Sequence, residues 1–141
     1  MISDQYAAGF MDGEGCINVS SCRTSTYIRV LIVNTNREVL ELFQQRWGGD
    51  IKQNKQQKAH WKVSYTWRVS YAACQQFLKD VYPFLVVKKK QAEAAFTFLF
   101  YQPGKGKRWT TEGLEEANKA ILAIKQLNKK GVEVKNEEQT T

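Results

Sequence analysis

Asp12 and Glu14 are carboxylates two residues apart, separated by Gly13 and followed by Gly15, at the end of a run of small residues, Ala7-Ala-Gly9. A helix over this stretch, capped by Ser3 and running to about Asp12, carries both acids at its foot. Gly13 and Gly15 then break it before the apolar strand that begins at Cys16. Glycine inside a helix costs roughly 0.5–1 kcal/mol relative to alanine, so Gly9 needs a compensating contact, and close approach of a second helix backbone supplies one. Two copies packed through Ala8 and Gly9 bring their acids near the axis that relates them. That arrangement suits a metal ion shared between two copies. The chain holds one copy of the stretch and no internal repeat, so the second copy must come from another chain.

The balance of charge points to the partner. Lys and Arg number 21 against 14 Asp and Glu, a net charge of +7, which favours polyanions through counterion release from a phosphate backbone. Three cysteines without CxxC spacing support neither a disulfide framework nor a zinc site. A reduced, intracellular setting is therefore expected. His60 is the single histidine, which excludes His-rich metal sites and argues against a His-centred triad. The apolar run at 94–101 is far short of a membrane span of ~20 residues, and no secretory signal is read ahead of the first helix. No membrane association is expected.

The elements that must position the acids follow from periodicity. Residues 15–22 alternate, with Ile17 and Val19 on one face and Asn18, Ser20 and Cys22 on the other. After a polar loop at 23–26, a second strand over 27–33 puts Ile28, Val30 and Ile32 inward and Tyr27, Arg29 and Leu31 outward. A helix starting at Thr35 or Asn36 carries Val39, Leu40, Leu42, Phe43 and Trp47 and ends at Gly48-Gly49. Strands are expected at 51–56 and at 60–71, the latter with Lys62, Thr66 and Arg68 on its polar face and Trp61, Trp67 and Val69 on the other. Helices follow at 72–82, from Val87 or Lys88 to about Tyr101, and at 111–129, with a basic loop at 102–108. The reading is an α+β chain of order α-β-β-α-β-β-α plus C-terminal helices, one domain over 1–130 and a disordered tail at 131–141.

The stretch Ala7-Ala-Gly-Phe-Met-Asp-Gly-Glu-Gly15 resembles the signature of the LAGLIDADG homing endonucleases, with Ala7 at the leucine and Glu14 at the second acid. Val33-Asn34-Thr35, Gly48-Gly49, Trp67-Arg-Val-Ser70 and Tyr82-Pro-Phe-Leu-Val-Val-Lys-Lys-Lys-Gln-Ala92 look like further family features, and the resemblance covers roughly residues 5–130.

The resemblance implies a saddle-shaped antiparallel sheet laid along the major groove of double-stranded DNA, and a homodimer that cuts a long, roughly palindromic site. It implies Mg2+, with Mn2+ able to substitute, held at Glu14 and Gly13. Oxygen ligands and water suit that ion without histidine or cysteine, and such ions activate water and stabilise the attacking and leaving oxygens of a phosphodiester. Lys88 aligns with the family's active-site lysine, and Asn34 lies where members carry Gln or Asn beside the metal-bound water. Asp12 is read as capping the facing chain at the dimer contact, with Ala8 and Gly9. The DNA-facing set by strand parity is Asn18, Ser20, Cys22, Arg29, Lys52, Asn54, Lys62, Thr66 and Arg68, with Arg29 and Arg68 able to fork onto guanine. Lys105, Lys107 and Arg108 suit phosphate. Two other readings remain open on sequence: an intron RNA maturase, and an inactive DNA-binding relic.

Overall fold

In the computed structural model, which describes residues 1–22, 25–56, 58–104 and 106–129 apart from the side chains of 21, 22 and 25, α1 spans Asp4–Glu14. Ser3 caps it by accepting the Tyr6 N–H at 3.1 Å. Gly13 does not break the helix, contrary to the sequence expectation. The break falls at Gly15, whose N–H donates to the Met11 carbonyl. A Cβ on Gly15 would lie 2.8 Å from that carbonyl oxygen, so only glycine lets the chain turn this tightly from helix into strand.

The remaining elements are β1 (Gly15–Cys22), β2 (Ser25–Asn34), α2 (Arg37–Trp47), β3 (Asp50–Gln53), β4 (Tyr65–Ser70), α3 (Tyr71–Val81), a 3-10 turn (Tyr82–Phe84), α4 (Lys89–Tyr101) and α5 (Thr111–Asn128). The element order is the expected one, and the fold is α+β. The sheet is antiparallel with order β1-β2-β4-β3.

Two strands are shorter than the alternation predicts. β3 ends at Gln53 and β4 starts only at Tyr65, so His60, Trp61 and Lys62 lie in the connection rather than on a strand. The ladder closes at Asn54, whose N–H donates to the Ser64 carbonyl at 2.9 Å and whose amide donates to the Ser64 hydroxyl at 3.0 Å. At the other end of β4, Tyr71 is already helical, with a positive φ of 55°, and its ring stacks on Tyr27 with centroids 5.4 Å apart.

The chain divides into two compact units, Met1–Lys89 and Lys90–Thr141. In the first, alternate strand residues Ile17, Ile28, Val30, Ile32, Trp67 and Val69 are buried together with Ala7, Ala8 and Met11 of α1. Phe43 lies 5.1 Å from Trp67 and 5.5 Å from Phe10, and Trp47 meets Phe77 edge-on at 4.8 Å. Such pairs add about 0.5–1.5 kcal/mol each beyond area burial. The Trp67 indole N–H donates to the Gly48 carbonyl at 2.8 Å, which ties β4 to the turn after α2. Gly49 there has φ +84°, and a Cβ would collide with the Arg68 carbonyl oxygen. The glycine pair therefore lays β3 against β4, as well as ending the helix.

In the second unit, Thr110 caps α5, accepting the Gly113 N–H at 2.9 Å. Phe98 and Trp109 pack edge-on, centroids 5.9 Å apart. Among the described residues no helix is long and apolar enough to cross a membrane. The expected tail at 131–141 lies outside the described residues, as do Arg23, Thr24 and Lys105.

Candidate functional site

The foot of α1 is assembled by one carboxylate. Asp12 Oδ2 accepts the Val86 N–H at 2.8 Å, and Oδ1 accepts those of Val87 and Lys88 at 3.1 and 3.0 Å. Three successive amides closing on one acid form a nest of the kind that stabilises anions, and this offsets the unfavourable placing of a carboxylate at its own helix C-terminus. The capping partner is thus the same chain. The expectation that Asp12 caps the facing chain is corrected by this geometry.

The same contact delivers a cation. The Lys88 ammonium donates to the Asp12 carbonyl oxygen at 3.2 Å, where the helix dipole favours positive charge. Lys88 is half-buried while Lys89 and Lys90 are exposed, so the structure separates Lys88 from its neighbours. Lys89 instead lies over the Tyr82 ring, 5.2 Å from its centroid.

Glu14, the last residue of α1, is exposed, and its side chain has no hydrogen bond or ion pair among the described residues. The last four carbonyls of a helix lack intrahelical partners. Here Met11 O takes the Gly15 N–H and Asp12 O takes Lys88, while Gly13 and Glu14, the last two residues of α1, are both exposed. Among the described residues no three His, Cys, Asp or Glu side chains gather into a metal cage. One chain therefore offers a hard cation two oxygen donors, a fit for an ion that keeps its waters and completes its shell with phosphate oxygens. It does not offer a dedicated cage.

Next along β1, Cys16 lies in the field of Lys88 and Arg29. Burial raises its thiol above the ordinary value, and the two cations act in the opposite sense. Asn34 ends β2 at the same end of the sheet as Gly15, which pairs with Ile32. Its side-chain oxygen accepts the Asn36 N–H at 2.7 Å, a turn that starts α2, while its amide group is left to donate elsewhere.

Of the residues expected at a dimer contact, Ala8 is fully buried within its own chain and offers a second copy no surface. Its assignment to the contact is corrected. Ala7, Ala8 and Met11 turn inward, while Gly9 and Gly13, spaced i, i+4, form an exposed stripe with open space around both.

The outward sheet face carries most of the expected DNA-facing set. Register puts Asn18 opposite Arg29, and Arg29 opposite Ser70. Arg68 stands opposite Asp50, and Lys52 opposite Thr66. Their side chains differ in freedom. Ser20 donates to Asn18 Oδ1 at 3.3 Å, and Thr66 donates to Asn54 Oδ1 at 2.9 Å. Arg68 is bound to Asp50, whereas Arg29 has a buried Nε without an acceptor among the described residues. Lys62 leaves the strand set and instead lines a cleft of about 310 Å³ with Asn54, Lys55, Gln56, Trp61 and Ser64. The Cys22 side chain lies outside the described residues. Lys107 and Arg108 are exposed in the second unit. Sequence reasoning misses Asp50, because it starts the third strand one residue later. Parity with Lys52 is the signal that finds it.

Comparison with known proteins returns one family. The family model for the LAGLIDADG endonuclease matches residues 7–95. Among solved structures, the homing endonuclease I-CvuI in complex with its target in the presence of calcium is 20% identical, covers 88% of this chain and 80% of that one, and has a TM-score of 0.70. The archaeal intron-encoded homing endonuclease I-Vdi141I, complexed with DNA, is 24% identical over 88% and 82% of the two chains, TM-score 0.63. The homing endonuclease I-TnaI is 23% identical over 94% and 98%, TM-score 0.63. These likenesses establish the fold. No curated protein matches by sequence.

Proposed function

The chain belongs to the LAGLIDADG endonuclease family, and from that premise we propose that it is a site-specific, double-strand DNA endonuclease that acts as a homodimer with Mg2+. The observation that carries this reading is the foot of α1, where an exposed Glu14, without a side-chain partner among the described residues, stands two residues from Asp12, the residue that holds the Lys88 ammonium on its carbonyl oxygen. One such foot per chain makes a second copy necessary for cutting two strands. The family's solved relatives in complex with DNA do not favour an RNA maturase, and the presence of both Glu14 and Lys88 argues against a relic.

In this reading Glu14 and the Gly13 carbonyl hold the divalent ion. When bound, the ion supplies Lewis-acid activation of water and neutralises charge on the leaving oxygen. Lys88 contributes a fixed positive charge for the phosphate as its negative charge builds. Asp12 is a positioning residue, fixing the backbone and the ammonium of Lys88 together. Asn34 donates its amide toward water at the same end of the sheet. The outward face of β1, β2, β4 and β3 reads base edges in the major groove, and Lys107 and Arg108 meet phosphate.

The test is an inverted-repeat duplex library in which only the half-site is random. The protein is bound in Ca2+, the bound pool is switched to Mg2+, and the ends are sequenced. Ends converging on one palindrome are expected. An enriched palindrome that stays uncut would leave a binding protein without nuclease activity, and no enrichment would remove the DNA reading.

A further inference from the structure

We propose that Asp50 and Arg68 act as one guanine-reading unit in which Asp50 sets the specificity by fixing the direction of the Arg68 fork; this rests on the DNA-endonuclease reading above. The two residues are cross-strand partners at the start of β3 and within β4. Arg68 Nε donates to Asp50 Oδ1 at 3.3 Å, and Nη2 donates to Oδ2. The Asp50 and Arg68 side chains are 60% and 35% exposed, so the pair adds little to folding stability once solvent screening is allowed for. The contact holds Asp50 in its charged form, with its carboxyl below the ordinary value of 3.8 mainly through the Arg68 hydrogen bond.

The placing of the acid is unexpected by charge alone. Asp50 is the one carboxylate on the outward face of the four strands among the described residues, and a carboxylate repels phosphate. Its geometry supplies a reason for being there. A guanidinium has five N–H donors in a fixed plane. Asp50 occupies Nε–H and one Nη2–H, leaving one edge on which Nη1–H and the second Nη2–H run parallel. Guanine presents two acceptors, O6 and N7, to match that edge. Adenine presents N7 beside a donor amino group, cytosine presents a donor, and thymine presents one acceptor beside a methyl group. Freed from Asp50, the long arginine chain can turn to a phosphate, a contact that carries no sequence information. Arg29, on the same face, has no acceptor on its Nε among the described residues to set its fork.

The experiment is the Ca2+-bound half-site selection with the wild-type protein, Asp50→Ala, Asp50→Asn, Arg68→Ala and the double variant Asp50→Ala/Arg68→Ala. In wild type, one position per half-site should prefer guanine by about 10–100-fold. Arg68→Ala should flatten that position. Both Asp50 variants should flatten the same position to within a few-fold while total affinity at low salt holds or rises, since an anion has left the face. The double variant should match Arg68→Ala. Unchanged guanine preference in the Asp50 variants would overturn the proposal, as would a change at a different position, which would mean that Asp50 reads a base of its own. If wild type enriches no sequence, the DNA reading fails first, an outcome distinct from an enriched site indifferent to Asp50.

Discussion

Asp12 and Lys88 are joined twice: the Lys88 backbone N–H donates to the Asp12 carboxylate at 3.0 Å, and the Lys88 ammonium donates to the Asp12 carbonyl oxygen at 3.2 Å. One residue thereby fixes the place of the other's backbone and of its charge.

Asp12→Ala removes the acceptor of three amides. Charge-assisted hydrogen bonds of this kind are worth about 1.5–3 kcal/mol, so urea unfolding should show a loss on that order. Asp12→Asn retains one acceptor oxygen and should lose less. Lys88→Met should leave DNA affinity in Ca2+ within a few-fold and lower the Mg2+ cleavage rate by about 10²–10³-fold, the scale for removing one transition-state charge contact. Equal loss of binding and cleavage would make Lys88 an ordinary phosphate contact.

Gly9 lies in the interior of α1, and a Cβ added there would meet open space. Among the described residues nothing offsets its cost, so at concentrations where the chain is monomeric Gly9→Ala should stabilise it by about 0.5–1 kcal/mol. The same substitution should weaken self-association measured by sedimentation, because the added methyl separates the two backbones. A stabilised chain with unchanged self-association would place the dimer contact elsewhere.

The pH dependence of base preference follows from Asp50. Its folded carboxyl titrates below the ordinary value of 3.8, so its contribution is complete above that value and is lost only as pH falls through the lowered one. Binding assays in Ca2+ should therefore give a constant guanine preference from about pH 8 down to about pH 5. A titration inside that window would assign the preference to another group.

Arg29→Ala should relax base preference less than Arg68→Ala does, since no acceptor among the described residues sets the direction of its fork. Lys107→Ala should instead weaken all sequences alike and reduce the salt slope of binding by about one.

Much of the fold is legible in the sequence because it is local. Alternation through Ile28, Val30 and Ile32 marks the buried face of β2, and Ser3 and Gly48-Gly49 mark helix ends by their own chemistry. What stays hidden depends on contacts between distant residues. The aromatic alternation through Trp61 and Tyr65 continues past the point where Asn54 and Ser64 close the ladder, so periodicity alone extends β4 too far and takes Lys62 with it. The acceptor role of Asp12 joins positions 74 to 76 residues apart, beyond the reach of any periodicity. Ala8 and Gly9 are both small, and only the packed helix shows which one turns outward.

Glu14 is assigned to the cutting step and not to the recognition of DNA. The most direct measurement is binding and cleavage of the selected palindrome by wild-type protein and by Glu14→Gln, side by side in Ca2+ and in Mg2+. Equal affinity in Ca2+, double-strand cleavage by wild type in Mg2+, and an uncut site with Glu14→Gln are the expected results. Cleavage by Glu14→Gln at the wild-type rate would contradict the assignment.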